Sequence, residues 1–107
     1  MELEKMYAEE DLFPREITSW EEREYGILFY NVENKESIDS NHAVIFKERV
    51  HDTESVLRDI AAFYRAKGIR PTIYQSIREE GYFEEIGREL AACGFEYWTE
   101  PQRYMVL

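Results

Sequence analysis

The stretch "ELAACGFEYW", Glu89 to Trp98, decides how the chain is read. Leu90, Ala91 and Ala92 sustain a helix, Gly94 supplies the left-handed residue that stops it, and Phe95-Glu-Tyr-Trp98 continues as a strand. Thr99-Glu-Pro-Gln102 then reads as a turn before Arg103-Tyr-Met-Val-Leu107, so the chain closes on a hairpin. Upstream, Tyr82, Phe83, Ile86 and Leu90 form the apolar stripe of the helix that ends at Gly94. Pro71 to Ile77 is a strand with proline confined to its first residue, where no ladder donor is needed. Before it, Val56, Leu57, Ile60, Phe63 and Tyr64 recur at helical spacing from an N-cap at Asp52 or Thr53 to a stop at Gly68. Ala43 to Phe46 is a short strand, and Tyr25 to Tyr30 is a nearly continuous apolar run that reads as a buried one. The polar segment between them holds Asp39 and Asn41 as turn formers whose side chains bond nearby amides. At the start, Leu3, Met6 and Tyr7 share one helical face, and Phe13-Pro14 closes a first short helix.

The 107 residues, 44% hydrophobic and 15% aromatic, suffice for one core, and no linker, repeat or biased tract divides them. Residues 1–107 are therefore read as a single domain of mixed α/β (α+β) class. The longest apolar run falls well below the roughly 18 residues of a membrane span, and Met1-Glu-Leu-Glu4 lacks a basic signal start, so no membrane association is expected and a cytoplasmic location is. The lone Cys93 has no intrachain partner and suits a reducing compartment. Asp and Glu number 23 against 13 Lys and Arg, a formal charge of -10. The basic residues are interleaved with acids, which argues against nucleic acid; the acidic excess commonly serves solubility, and it would also draw in a small amine or another cationic ligand.

The order strand, helix, strand, helix, hairpin, with "ELAACGFEYW" at the second helix-to-strand junction, resembles the later half of the GCN5-related N-acetyltransferase (GNAT) family. The resemblance covers Ala43 to Leu107. Upstream, "ILFYNVENKESIDSNHAVIF" resembles the leading, degenerate domain of tandem GNAT-like proteins. A GNAT-like mixed sheet is implied, in which the strands at 43–46 and 72–76 are parallel neighbours joined by the helix from Thr53 to Lys67. The activity implied is transfer of an acetyl group from acetyl-CoA to an amine.

In that family a glycine-bearing loop opens the long helix, because backbone amides must approach the cofactor pyrophosphate closely at the positive helix end. The corresponding stretch here, Lys47 to Ser55 ("KERVHDTES"), contains no glycine. By loop position, Lys47, Arg49, His51, Asp52 and Thr53 are the candidate cofactor-binding residues. Asp52 and Glu54 place negative charge where a diphosphate would lie. The family's tyrosine acid, one turn before the Gly-Phe pair, is replaced by Leu90, which has no proton to give. Tyr82 lies about two turns earlier and reads as core, whereas Tyr97 lies on the following strand. Glu48 is the candidate base, a carboxylate at the end of the central strand. His42, His51 and Cys93 lack the spacing of a zinc site, and Cys93 at a helix C-terminus is an inert thiol rather than a nucleophile. Two functional readings follow. One is a degenerate GNAT-like domain, non-catalytic in isolation, acting as a binding module, a homodimerisation module or the partner of a second domain. The other is a small acetyl-CoA-dependent N-acetyltransferase acting on a cationic amine.

Overall fold

The computed structural model describes residues 19–75, 81–97 and 104–107. The expected first helix around Leu3, Met6 and Tyr7, and its close at Phe13-Pro14, lie outside the described residues. Within them the fold is mixed α/β. Six strands form one sheet: β1 (Ser19–Arg23), β2 (Gly26–Tyr30), β3 (His42–Ile45), β4 (Thr72–Tyr74), β5 (Glu96–Tyr97) and β6 (Tyr104–Val106), in the spatial order β1-β2-β3-β4-β6-β5. The helices are α1 (Thr53–Ala66), α2 (Tyr82–Glu85) and α3 (Gly87–Ala92), with a single 3-10 turn at Lys47–Arg49. Among the described residues no helix is long and apolar enough to cross a membrane.

Strand β2 is buried from Gly26 to Phe29 because both faces of the sheet are used. Leu28, Ala43, Ile45, Ile73 and Met105 point to one face and pack with Leu57, Ile60 and Tyr64 of α1 and with Tyr82, Phe83, Ile86 and Leu90. Ile27, Phe29 and Val44 point to the other face, beside Trp20, Phe46 and Tyr74. A strand buried on both sides loses the polar alternation of a one-sided strand, which is why residues 25–30 read as a continuous apolar run.

Strands β3 and β4 pair in parallel, Ala43 with Ile73 and Val44 with Tyr74, and α1 joins them as expected. All other pairings are antiparallel, including β5 with β6 in register Glu96 to Val106. The closing strand β6 therefore lies between β4 and β5, with Tyr74 opposite Tyr104.

Both helix stops take the expected left-handed backbone, at φ 71° for Gly68 and 89° for Gly94. Each completes the same pattern of carbonyl capping. Gly68 donates to Arg65 O and Ile69 to Tyr64 O, while Gly94 donates to Ala91 O and Phe95 to Leu90 O. The residue beyond each glycine, Ile69 or Phe95, turns back into the core beside the helix it follows.

Two expectations are corrected, and one strand was not anticipated. The stripe Tyr82 to Leu90 does not form one helix but breaks at Ile86 (φ -104°, ψ 20°) into α2 and α3. The side chains still share one core, so the apolar spacing survives the break. The strand expected over 71–77 is regular only from Thr72 to Tyr74 within the described residues. The charged segment Ser19–Arg23 forms the strand β1, which no apolar run announced.

Candidate functional site

The loop from Phe46 to Asp52 leads from β3 into α1, and the six candidate residues on it and at its end face different neighbours. Lys47, Glu48 and Arg49 are the three residues of the 3-10 turn, and all are exposed. The turn consumes its own donors, since Arg49 N–H bonds Phe46 O at 2.8 Å and Val50 N–H bonds Lys47 O at 3.3 Å. The Lys47 ammonium lies 3.8 Å from Glu85 of α2, and the Arg49 guanidinium stacks over the Phe46 ring at 5.0 Å. Glu48, the candidate base, projects from this turn. His51 Nε2 is 3.3 Å from a Glu24 carboxylate oxygen, at an exposed position.

Asp52, rather than Thr53, is the N-cap of α1, and Thr53 is its first helical residue. One Asp52 oxygen accepts from the Ser55 amide at 3.4 Å and the other from the Ser55 hydroxyl at 2.9 Å. The Ser55 hydroxyl bond is the main reason that the Asp52 carboxyl is held below its ordinary range, with the Ser55 amide adding to it. The positive end of α1 thus already carries an anion, and the amides at its start that would meet a phosphate include one bonded to Asp52.

Leu90 is buried in the core at the position where the implied family acid would stand, and Tyr82 is buried in the same cluster. Tyr97 contributes backbone to β5, opposite Met105. Cys93 is half-buried and packs against the core. His42 is buried on the opposite face of the sheet, its ring 5.3 Å from Phe29, 5.5 Å from Tyr74 and 6.0 Å from Tyr104, with Nδ1 3.0 Å from Ile38 O. Among the described residues no three His, Cys, Asp or Glu side chains gather as a metal-ligand set.

At the other end of α1, sequence reasoning missed a cleft of about 520 Å³ lined by Lys35, Ser37, Arg70 and Thr72, with Ile38 and Val106 as its apolar surface. Its wall is the loop 31–41, which the buried Asn41 organises. Asn41 Oδ1 accepts from Asn31 N–H at 2.6 Å, and its Nδ2 donates to Asn34 O at 2.8 Å and Ser37 O at 2.9 Å. The expected role of Asn41 as a turn former is therefore seen at atomic detail. The lining residues come from three separate segments that only the sheet order brings together, so no spacing in the sequence signals the cleft.

A third polar cluster ties the β1–β2 hairpin to α1. Asp59 Oδ2 accepts from Arg23 Nε at 3.0 Å and from the Tyr25 hydroxyl at 2.7 Å. Burial, then the bond to Asp59, raises the Tyr25 phenol well above its ordinary value. These bonds brace the hairpin against α1.

Comparison of the chain with protein-family models, with curated proteins and with solved structures returned no match.

Proposed function

We propose that the chain is a degenerate GNAT-like domain that neither binds nor turns over acetyl-CoA and serves as a binding or dimerisation module. The reading is supported by the parallel β3–β4 pair bridged by α1 and by a helix that ends in Gly94-Phe95 before two closing antiparallel strands. The observation that carries the loss of chemistry is the fate of the amides between β3 and α1. Those of Arg49 and Val50 close the 3-10 turn, and that of Ser55 meets the Asp52 carboxylate. A pyrophosphate binds a glycine loop because several unspent amides converge on it without Cβ atoms in the way. Here three of those donors are committed and a negative charge stands at the helix end. Leu90, packed in the core, offers no proton to a departing thiolate.

The test is thermal unfolding of the purified chain with and without millimolar acetyl-CoA. No change in melting temperature is expected. A ligand present at about 100 times its Kd would stabilise the native state by about 2.7 kcal/mol, several degrees for a chain of this length. A saturable shift that disappears when Asp52 and Thr53 are replaced would overturn the reading and favour an active acetyltransferase.

A further inference from the structure

We propose that the cleft between the loop 31–41, the connection from α1 to β4 and the strand β6 binds a small organic carboxylate with an apolar body. This inference does not rest on the GNAT-like reading. The cleft opens beside Gly68, at the C-terminal end of α1, whereas the acetyl-CoA question concerns Asp52 at its N-terminal end. The 14 residues of α1 separate the two by about 21 Å.

Four features point to this ligand class. The volume, about 520 Å³, lies in the range of small-molecule sites. In a chain of net charge -10, two cations from different segments, Lys35 and Arg70, line the same opening. Lys35 makes no ion pair among the described residues, and its ammonium leans over Gly68, 3.3 Å from where a Cβ would stand. Arg70 is oriented at the rim by the bond from its Nε to Leu107 O at 2.9 Å.

The floor supplies the rest of the recognition. Thr72 is buried there with its hydroxyl donating to Arg70 O at 3.1 Å, and beside it Val106 and the half-buried Ile38 offer apolar contact. Glu36 on the same lining disfavours a polyphosphate, whose several charges would meet it, more than a single carboxylate. The wall is preorganised by the Asn41 bonds and by the Ser37 hydroxyl, which accepts from the Ser40 amide at 3.2 Å, so little ordering of the loop opposes binding.

The experiment is a two-dimensional amide NMR titration of the full chain with benzoate, with neutral benzamide as the shape-matched control. Saturable benzoate shifts are expected at the amides of residues 35–38, 70 and 72, with a millimolar Kd. Benzamide should bind at least about tenfold more weakly, because it gives up the charge that Lys35 and Arg70 recognise. The exposed double variant Lys35→Ala/Arg70→Ala should lose the benzoate response while resonances of α1 and the sheet stay in place. Should that variant unfold, Lys35→Ala alone must weaken benzoate at least about threefold. Absence of saturable shifts, equal binding of benzamide, or binding indifferent to these substitutions would each overturn the proposal.

Discussion

Replacing Gly26 by alanine tests the packing of the sheet at its tightest point. Gly26 opens β2 and lies opposite Ile45 of β3. A Cβ placed on it would stand 1.9 Å from the Val44 carbonyl oxygen and 3.1 Å from Ile45 Cα, both backbone atoms that no rotamer change can move. Close carbon-to-oxygen contacts across strands settle near 3.3 Å, so the shortfall is about 1.4 Å and the β2 and β3 backbones must part by that order. The ladder around Gly26, including the bond from Phe46 N–H to Tyr25 O at 2.7 Å, would then lengthen past hydrogen-bonding distance. Two such bonds at about 1 kcal/mol each, together with loosened packing of Ile27 and Val44, give a destabilisation of about 3 kcal/mol or more. Gly87→Ala is the internal control, because nothing lies within 4 Å of its added Cβ and alanine favours a helix over glycine by roughly 0.5 to 1 kcal/mol. Urea unfolding of both variants checks the pair. If Gly26→Ala unfolds within about 1 kcal/mol of the parent chain, the close approach of β2 to β3 is wrong.

Two further outcomes follow from the same structure. Gly94→Ala is expected to cost about 1 kcal/mol or more, because φ is 89° there and the new Cβ would press on Leu107 Cδ1 at 3.2 Å; an alanine variant as stable as the parent in urea would place the end of α3 elsewhere. Burial raises the phenols of Tyr25 and Tyr64, so the fold keeps both protons above about pH 10 while the unfolded chain sheds them, and stability present below that pH is lost as pH rises, by about 1.4 kcal/mol per unit for each tyrosine. Tyr64→Phe, which removes the hydroxyl that donates to Phe29 O, should roughly halve the alkaline slope of urea-derived stability, and an unchanged slope would contradict the burial of that phenol.

What the sequence made legible is what local chemistry determines. The span of α1 follows from a cap, an apolar stripe and a glycine, and each acts within a few residues of itself. The parallel β3–β4 pair was legible because a helix-length crossover leaves no short route back to an antiparallel partner. Strand β1 was not legible, because its Ser19, Glu21 and Glu22 are exposed and only Trp20 and Arg23 are as much as half-buried. Its strand character comes from pairing with β2 rather than from its own residues. The break at Ile86 was hidden because a kinked helix can keep the same residues in the core. At the loop 46–52 the absence of glycine was visible, but the 3-10 turn that spends the Arg49 and Val50 amides was not, since Lys-Glu-Arg carries no turn signature.

The residues that hold this fold and those that line its two candidate surfaces are largely different sets. The capping glycines, Gly26 and the core of α1 act through backbone conformation and buried area. In the loop 46–52 the exposed side chains make only peripheral contacts, such as Lys47 with Glu85 and His51 with Glu24. Exposed pairs of this kind contribute about 0 to 1 kcal/mol, so Lys47 and His51 can be exchanged with little effect on stability, whereas Asp52 caps α1. The wall of the cleft is different. Asn41 is buried and serves three backbone groups of the loop at once, so the shape of the cleft is tied to the stability of the chain itself. Lys35, exposed on the wall that Asn41 fixes, and Arg70, exposed on the connection from α1 to β4, stand outside that constraint, which is why charge at the opening can be changed by substitution while the cleft keeps its form.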